Sequence, residues 1–172
     1  MSLIRKLMTD GPVRVFVVED SQLLRERIVR DIAALGRFNI VGWAESQNDA
    51  VEAIARLAPD VVVTDLHLKQ GSGLEVMRQV RTRCPKPPPS IVVLTNYGMP
   101  EYKHQSLKFG ANDFFDKSGE YDQFLARMLT FVGLRRSGRS CIRSIAERLD
   151  FLRQFQTSAD SADVRRTRSC VK

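Results

Sequence analysis

The sequence predicts an α/β protein in which helices cover both faces of a central parallel sheet. Runs of β-branched and aromatic residues recur about every 20 to 25 residues, and segments with helical spacing of apolar residues alternate with them. Several of these runs are apolar at every position, as expected for strands that are buried on both faces. The alternation of strands and helices implies right-handed crossovers between parallel strands.

Five strands are predicted from these runs. The first, VRVFVV, ends in two acids, and the third, DVVVT, is apolar on both faces. The second strand is shorter, the fourth follows the proline-rich connector CPKPPPS, and the fifth is NDFF. The predicted ranges are 13–18, 40–44, 60–64, 90–94 and 112–115.

Five helices are predicted between and after these strands. Ser21 opens the first, whose apolar residues recur at steps of three and four until Gly36. Ser46 and Asp49 resemble a capping box before the second, which Pro59 ends. The predicted ranges are 21–35, 50–58, 74–83, 101–109 and 120–134. Five such units suggest the flavodoxin-like doubly wound fold, with strand order 2-1-3-4-5.

Composition limits the class of protein. Of the 172 residues, 43% are hydrophobic and 27% are charged, which is enough apolar material for a core and excludes a collagen or a wholly disordered chain. No apolar run reaches the roughly 18 residues of a membrane span, and the opening MSLIRKLMTDGP is too short in apolar residues for a signal peptide. The three cysteines lack metal-ligand spacing and fit a reducing compartment. We therefore expect a soluble, cytoplasmic protein.

The positive charge is concentrated at the carboxyl end of the chain. Residues 1–134 hold 17 of the 27 Lys and Arg and 16 of the 20 Asp and Glu, so residues 135–172 hold 10 against 4. We predict a short extension at 1–11, a domain at 12–134 and a basic extension at 135–172. Such a tail can attract polyanions, although basic ends also serve solubility alone.

Acidic and polar residues stand where four of the predicted strands end. Glu19 and Asp20 end the first strand, Asp65 follows the third, Thr95 the fourth and Lys117 the fifth. In open sheets of this kind, ligands bind outside the carboxyl ends of the strands, so these five residues are expected to converge. Any one of them alone could merely cap a turn or helix, but the full set rarely coincides by chance.

This set of side chains suits the acceptance of a phosphoryl group. Two carboxylates 4 Å apart repel by about 4 kcal/mol at an effective dielectric constant of 20, so a cation is needed to offset them. Magnesium suits a site with few carboxylates, and Lys117 adds a fixed positive charge. Asp65 is the best candidate nucleophile, because an aspartate can form an acyl phosphate. The Thr95 hydroxyl can hydrogen-bond an anionic oxygen.

The chain resembles the receiver domains of bacterial two-component response regulators. The resemblance covers about residues 12–134 and rests on VFVVED, VVVTDLHLKQGSGLEV, IVVLTN and GANDFFDK. It implies that Asp65 accepts a phosphoryl group from a sensor histidine kinase or phosphotransfer protein. It also implies that Mg²⁺ is bound by Glu19, Asp20, Asp65 and the backbone carbonyl of His67. Thr95 and Lys117 would hold the phosphoryl oxygens.

The resemblance assigns further roles beside this set. Phe114 falls at the position of the switch aromatic, although one of Phe114 and Phe115 must be an ordinary core residue, because successive strand side chains face opposite ways. His67, Asn96 and Tyr97 fall at positions that tune the lifetime of the phosphorylated state, and an altered lifetime is expected. His67 could equally be an exposed loop residue. Ser118 stands where many receivers have proline; a non-proline cis peptide there would cost about 2.5 to 4 kcal/mol.

The basic extension is expected to contain one more helix, at 141–156. Its apolar residues recur at steps of three and four but span fewer than three heptads, so they would pack on the domain, on a second copy or on a partner. These residues are Ile142, Ile145, Leu149 and Leu152. The 38 residues after Leu134 are fewer than the roughly 60 that a helix-turn-helix output domain of this family usually occupies.

The expected function is therefore a phosphorylation-activated switch that signals through protein–protein contacts and is not itself an enzyme beyond self-phosphorylation and slow dephosphorylation. The downstream target is unknown, and a homodimer is left open. A nucleic-acid-associated regulator that uses the Arg-rich tail is the alternative. An aspartyl phosphohydrolase is disfavoured because His67 occupies the place of its second aspartate. A dinucleotide site is disfavoured because GSGLEV lacks the third glycine and follows the third strand.

Overall fold

A computed structural model describes residues 11–84 and 87–133 of the chain. This part of the chain contains five strands and five helices. The strands are β1 (Val13–Val18), β2 (Phe38–Ala44), β3 (Val61–Thr64), β4 (Ser90–Thr95) and β5 (Asp113–Asp116). The helices are α1 (Gln22–Ala34), α2 (Gln47–Leu57), α3 (Gly73–Arg83), α4 (Pro100–Lys108) and α5 (Tyr121–Gly133).

All five strands pair in parallel, in the order β2-β1-β3-β4-β5. The predicted flavodoxin-like topology is confirmed. The three central strands are almost wholly buried, as their uninterrupted apolar runs require. β2 and β5 form the edges and are more exposed.

The helices cover both faces of the sheet. α1 and α5 contact each other, whereas α3 contacts both α2 and α4. One core cluster joins alternate residues of the strands, such as Phe16, Val18 and Phe114, to the buried faces of α2 and α3. Phe115 points the other way, and its ring lies 6.2 Å from that of Phe124 in α5.

Several predicted boundaries were wrong by one to three residues; α2, for example, begins at Gln47 and not at residue 50. β2 begins at Phe38, not residue 40, because Phe38 and Asn39 pair with the first residues of β1; the partial exposure of this edge strand hides its pattern. β5 includes Asp116, which pairs with Thr95. Asn112 instead precedes β5, and its side chain accepts a hydrogen bond from the Ile91 N–H at 2.8 Å.

The cap of the second predicted helix is present. Ser46 is the N-cap of α2, and its hydroxyl oxygen accepts a hydrogen bond from the Asp49 N–H. The reciprocal bond differs from a capping box, since the Ser46 hydroxyl also donates to the Asp49 carboxylate at 2.7 Å. α2 ends with Ala58 in the left-handed region, directly before Pro59.

The predicted extensions fall almost entirely outside the described residues. Residues 1–10 and 134–172 are not described, so the predicted helix at 141–156 and its four apolar residues stay predictions.

Candidate functional site

The candidate site lies at the carboxyl edge of the sheet, where the backbone ladder continues into the loops. The Asp65 N–H donates to the Val18 carbonyl at 2.9 Å, and the Lys117 N–H donates to the Thr95 carbonyl at 2.8 Å. These bonds extend the pairing of β1 with β3 and of β4 with β5 by one residue each. Asp65 and Lys117, which follow the strands, are therefore held at the spacing between neighbouring strands.

Lys117 lies between two buried carboxylates. Its Nζ atom is 2.6 Å from Oδ2 of Asp65 and 2.6 Å from Oε2 of Glu19. The three side chains are 7%, 9% and 2% exposed, respectively. The structure thus brings together three of the five predicted residues in direct hydrogen bonds, and these bonds are charge-assisted.

Burial decides the pKa shift of Glu19 but not that of Lys117. It raises the pKa of Glu19 above its usual value of 4.5, although the Lys117 ammonium group partly opposes the shift. Burial by itself would lower the pKa of Lys117, but the hydrogen bonds and charges of Asp65 and Glu19 outweigh it and raise that pKa above 10.5. One ammonium group serves two carboxylates, so the pocket has an excess of negative charge.

The second carboxylate oxygen of Asp65 is held by backbone donors. Oδ1 accepts hydrogen bonds from the N–H groups of Leu66 at 2.5 Å and His67 at 3.3 Å. The loop folds back at Gly73, whose N–H donates to the Leu66 carbonyl at 2.9 Å. A Cβ atom on Gly73 would lie 1.9 Å from the Asp65 carbonyl oxygen, so only glycine fits there.

The other two predicted residues lie at the same edge. Asp20 is partly exposed, and its backbone carbonyl accepts a hydrogen bond from the Lys69 ammonium group at 3.3 Å. Thr95 is fully buried, and its hydroxyl oxygen accepts a hydrogen bond from the Tyr97 N–H at 3.3 Å. The Thr95 side chain is thereby bonded to the loop that follows β4.

The donor chemistry suits magnesium, although the side chains do not form a ready-made site. Across residues 11–84 and 87–133, no three Asp, Glu, His or Cys side chains are arranged to hold a metal ion. Glu19 and Asp65 instead direct oxygens at Lys117. The acids offer only hard oxygen ligands, and a single ammonium group faces two of their carboxylates. These residues therefore fit a bound dication.

The predicted lifetime-tuning residues are exposed beside Asp65, and two of them touch. The rings of His67 and Tyr97 lie 3.7 Å apart between centroids, with an interplanar angle of 31°. Tyr102, which sequence reasoning missed, packs edge-on against both rings at 5.7 and 6.0 Å. Asn96 instead borders a cleft that Lys117, Tyr121 and part of α1 also line.

Asp116 is a second residue that the sequence did not single out. Its carboxylate accepts hydrogen bonds from the hydroxyl and N–H of Ser118, and from the N–H groups of Gly119 and Gly98. The Ser118 hydroxyl contributes most to lowering the pKa of Asp116 below 3.8. Ser118 thus supplies two donors that a proline would lack, which explains its place here.

Phe114 is buried at 7% exposure in the core cluster on the α2 and α3 face. The expectation that one of the two phenylalanines is a core residue therefore applies to Phe114 itself. Its predicted role as a switch stays a prediction.

Comparison with known proteins identifies the family. The family model of the response regulator receiver domain matches residues 15–129. The chain belongs to this family. A protein-glutamate methylesterase/protein-glutamine glutaminase of Anaeromyxobacter dehalogenans is 34% identical over 134 residues, which are 73% of this chain and 38% of that protein. The chain thus spans well under half the length of this relative.

Solved receiver structures share the fold. The signal receiver domain of the response regulator NarL from Mycobacterium tuberculosis has a TM-score of 0.64 and 29% identity, with 70% of this chain and 95% of that chain covered. The receiver domain of the sensor histidine kinase PA1611 from Pseudomonas aeruginosa has a TM-score of 0.62 and 20% identity, with 72% and 99% covered. That crystal structure holds magnesium in its active site cleft.

Residues 15–129 thus form a receiver domain, the phosphoacceptor switch of two-component signalling. Receiver domains interact with histidine kinases or phosphotransfer proteins. None of the helices in the described ranges is long and apolar enough to cross a membrane.

Proposed function

We propose that Asp65 is the phosphoacceptor of this receiver domain, and that Glu19, Asp20, Thr95 and Lys117 support the transfer. The observation that carries the proposal is the pair of 2.6 Å contacts from Lys117 to Asp65 and Glu19 in a buried pocket at the carboxyl edge of the sheet. Buried titratable groups that are paired in this way at a ligand-binding edge mark a candidate functional site.

The transfer is a displacement at phosphorus. A carboxylate oxygen of Asp65 forms a bond to phosphorus while the bond from phosphorus to the imidazole nitrogen of the donor's phosphohistidine breaks. The imidazole leaves with the electron pair and takes up a proton from solvent. Lys117 neutralises charge on the transferred oxygens, and the Thr95 hydroxyl can donate a hydrogen bond to one of them.

Magnesium would be held by the carboxylates of Glu19, Asp20 and Asp65 and by the backbone carbonyl of His67. When bound, it would neutralise charge on the phosphoryl oxygens and orient them. The magnesium in the cleft of the PA1611 receiver domain supports this assignment. So does the presence of two carboxylates around the single ammonium group of Lys117.

The donor is a sensor histidine kinase or a phosphotransfer protein, and the output is a protein–protein contact made by the phosphorylated domain. The methylesterase activity in the name of the Anaeromyxobacter relative is not proposed for this chain, because the match covers only 38% of that protein. Nucleic-acid binding by the basic tail concerns residues outside the described ranges.

Intact mass spectrometry tests the acceptor. The protein is incubated with Mg²⁺ and acetyl phosphate, and one added phosphoryl group is expected on the wild type and none on Asp65→Asn. Asp122→Asn is the matched control, since Asp122 is an exposed acid of α5. It should be labelled like the wild type. Labelling of Asp65→Asn to the wild-type extent would overturn the assignment.

A second measurement tests the role of Lys117. Lys117→Ala should be labelled more slowly than the wild type, because the transferred oxygens lose a neutralising charge, and phosphorylation should no longer change its affinity for a partner captured by the wild type. Undiminished coupling in this variant would contradict the proposed role of Lys117.

A further inference from the structure

Arg25 is a buried arginine on the first helix of the domain. It lies in α1 and is 6% exposed, and its Nη1 atom donates a hydrogen bond to the backbone carbonyl of Glu19 at 3.0 Å. Arginine is almost never so buried unless it is paired. One partner of Arg25 is the backbone of Glu19, a residue whose carboxylate lies in the candidate site.

The same guanidinium group contacts the edge strand side of the domain. Nη1 lies 2.9 Å from the Glu45 carboxylate, and the guanidinium carbon lies 4.0 Å from the centroid of the Trp43 ring. Trp43 is 53% exposed and is the only tryptophan in the chain. Arg25 therefore joins three groups: the β1–α1 loop, Glu45 and an aromatic ring.

These contacts fix the path of the β1–α1 loop. Beyond the Arg25 contact, the loop is closed by the Ser21 N–H, which donates to Oε1 of Glu19 at 3.3 Å. Glu19 in turn is almost fully buried at 2% exposure, so its carboxylate has little freedom once the backbone is held. Asp20 follows directly in the chain, and its side-chain direction depends on the same backbone.

We infer that Arg25 is a positioning residue for the magnesium ligands Glu19 and Asp20. The inference rests on the proposed function, because it assumes that these carboxylates bind the metal. Removal of a group that orients metal ligands without touching the metal typically lowers metal affinity by about 10-fold to 100-fold. Arg25 acts through the Glu19 backbone and does not touch the metal.

The direction in which Mg²⁺ affinity changes distinguishes a positioning role of Arg25 from a purely electrostatic one. A positive charge near the site repels a dication, so Coulomb's law alone predicts that loss of Arg25 tightens Mg²⁺ binding. Positioning predicts the opposite. We expect Arg25→Met to weaken Mg²⁺ binding by about tenfold.

Isothermal titration with Mg²⁺ tests this on the full chain. Arg30→Met is the matched control, because it removes the same charge from the same helix and its side chain is 72% exposed. It should bind Mg²⁺ as tightly as the wild type or slightly more tightly. A dissociation constant for Arg25→Met that is equal to or smaller than that of the wild type would overturn the inference.

Trp43 provides a second readout that a merely structural role would not change. Because the Arg25 guanidinium lies on the Trp43 ring and is bonded to the metal-binding loop, Mg²⁺ should change Trp43 emission in the wild type. The change should be lost in Arg25→Met even at saturating Mg²⁺. An emission response retained at wild-type size in this variant would count against the inference.

Folding and the proposed function are checked separately. Urea unfolding shows whether Arg25→Met is folded; if it is not, Arg25→Lys decides, because a lysine keeps the charge but cannot contact all three groups at once. Weakened Mg²⁺ binding in Arg25→Lys supports the inference, and an unchanged constant overturns it. Absence of Mg²⁺ binding in the wild type would overturn the magnesium assignment itself and this inference with it.

Discussion

Nζ of Lys117 lies 2.6 Å from Oδ2 of Asp65, although 52 residues separate them in the chain. The same ammonium group lies 2.6 Å from Glu19. Each of these contacts is made inside a pocket that excludes most water, so the three side chains depend on each other for charge compensation.

Replacement of Lys117 by methionine should therefore destabilise the domain. Two buried carboxylates would lose their cationic partner, and leaving a buried polar group unsatisfied costs about 1 to 3 kcal/mol or more. The free energy of unfolding, measured in urea without Mg²⁺, should fall by that amount. Lys108→Met, on the exposed side of α4, should change little. If Lys117→Met were as stable as Lys108→Met, the prediction would be wrong, and water would be replacing the contacts of Lys117.

Glu19 should make stability depend on pH in a direction unusual for an acid. Its folded pKa is raised, chiefly by burial, so its stabilising contribution is complete below pH 4.5 and is lost as the pH rises through the folded pKa. The wild type should thus lose stability relative to Glu19→Gln over that interval. Urea unfolding of both proteins from pH 4 upward, in steps of about half a pH unit, measures the difference.

Glu75 provides the opposite case within the same domain. Hydrogen bonds from Arg78 and Gln79 lower its pKa from 4.5 to about 2. Its contribution is therefore present above pH 4.5 and is lost as the pH falls toward 2. The stability of the wild type relative to Glu75→Gln should therefore rise with pH, whereas its stability relative to Glu19→Gln should fall. Slopes of the same sign for the two glutamates would contradict these assignments.

The sequence predicts which residues meet at the site better than it predicts how they meet. The carboxyl ends of parallel strands share one edge, so the runs before Asp65 and Thr95 were enough to place both there. That Lys117 contacts Glu19 as well as Asp65 depends on side-chain conformations, which periodicity does not encode.

Besides Tyr102, the sequence pattern did not single out Arg25 and Asp116, for different reasons. Arg25 precedes Ile28 by three positions and so lies on the buried face of α1, a placement that the helical spacing already indicates. Asp116 ends an edge strand with an ordinary polar residue. Its hydrogen bonds with Ser118 are local, but the bond from the Gly98 N–H arises only when the loop after β4 is brought beside the end of β5.

Gly73 should be the least replaceable glycine of the described loops around Asp65. A Cβ atom would lie 1.9 Å from the Asp65 carbonyl oxygen, which is backbone and cannot rotate away. We expect Gly73→Ala to lower the free energy of unfolding by about 1 to 3 kcal/mol or more and to reduce labelling of Asp65. Gly119→Ala is the control, because nothing lies within 4 Å of its added Cβ atom. A Gly73→Ala variant as stable and as readily labelled as Gly119→Ala would refute the expected clash.

The stacked rings of His67 and Tyr97 should lengthen the life of the phosphorylated state. They join the loops that follow β3 and β4, and the Tyr97 N–H also donates to the Thr95 hydroxyl, so the stack restrains both loops beside Asp65. A restrained loop pair limits the approach of water to an acyl phosphate. An aromatic pair contributes about 0.5 to 1.5 kcal/mol beyond burial, which corresponds to about a twofold to tenfold change in rate.

Loss of the phosphoryl group from Asp65, followed by intact mass after the donor is removed, measures this effect. Tyr97→Ala and His67→Ala should each speed the loss, and the double variant should be no faster than the faster single one, because either change removes the same stack. Met99→Ala, at an exposed position of the same loop, should leave the rate unchanged. If the rate increases of the two single variants multiply in the double variant, each ring acts alone. If both single variants lose the phosphoryl group at the wild-type rate, the ring pair does not control phosphoryl lifetime.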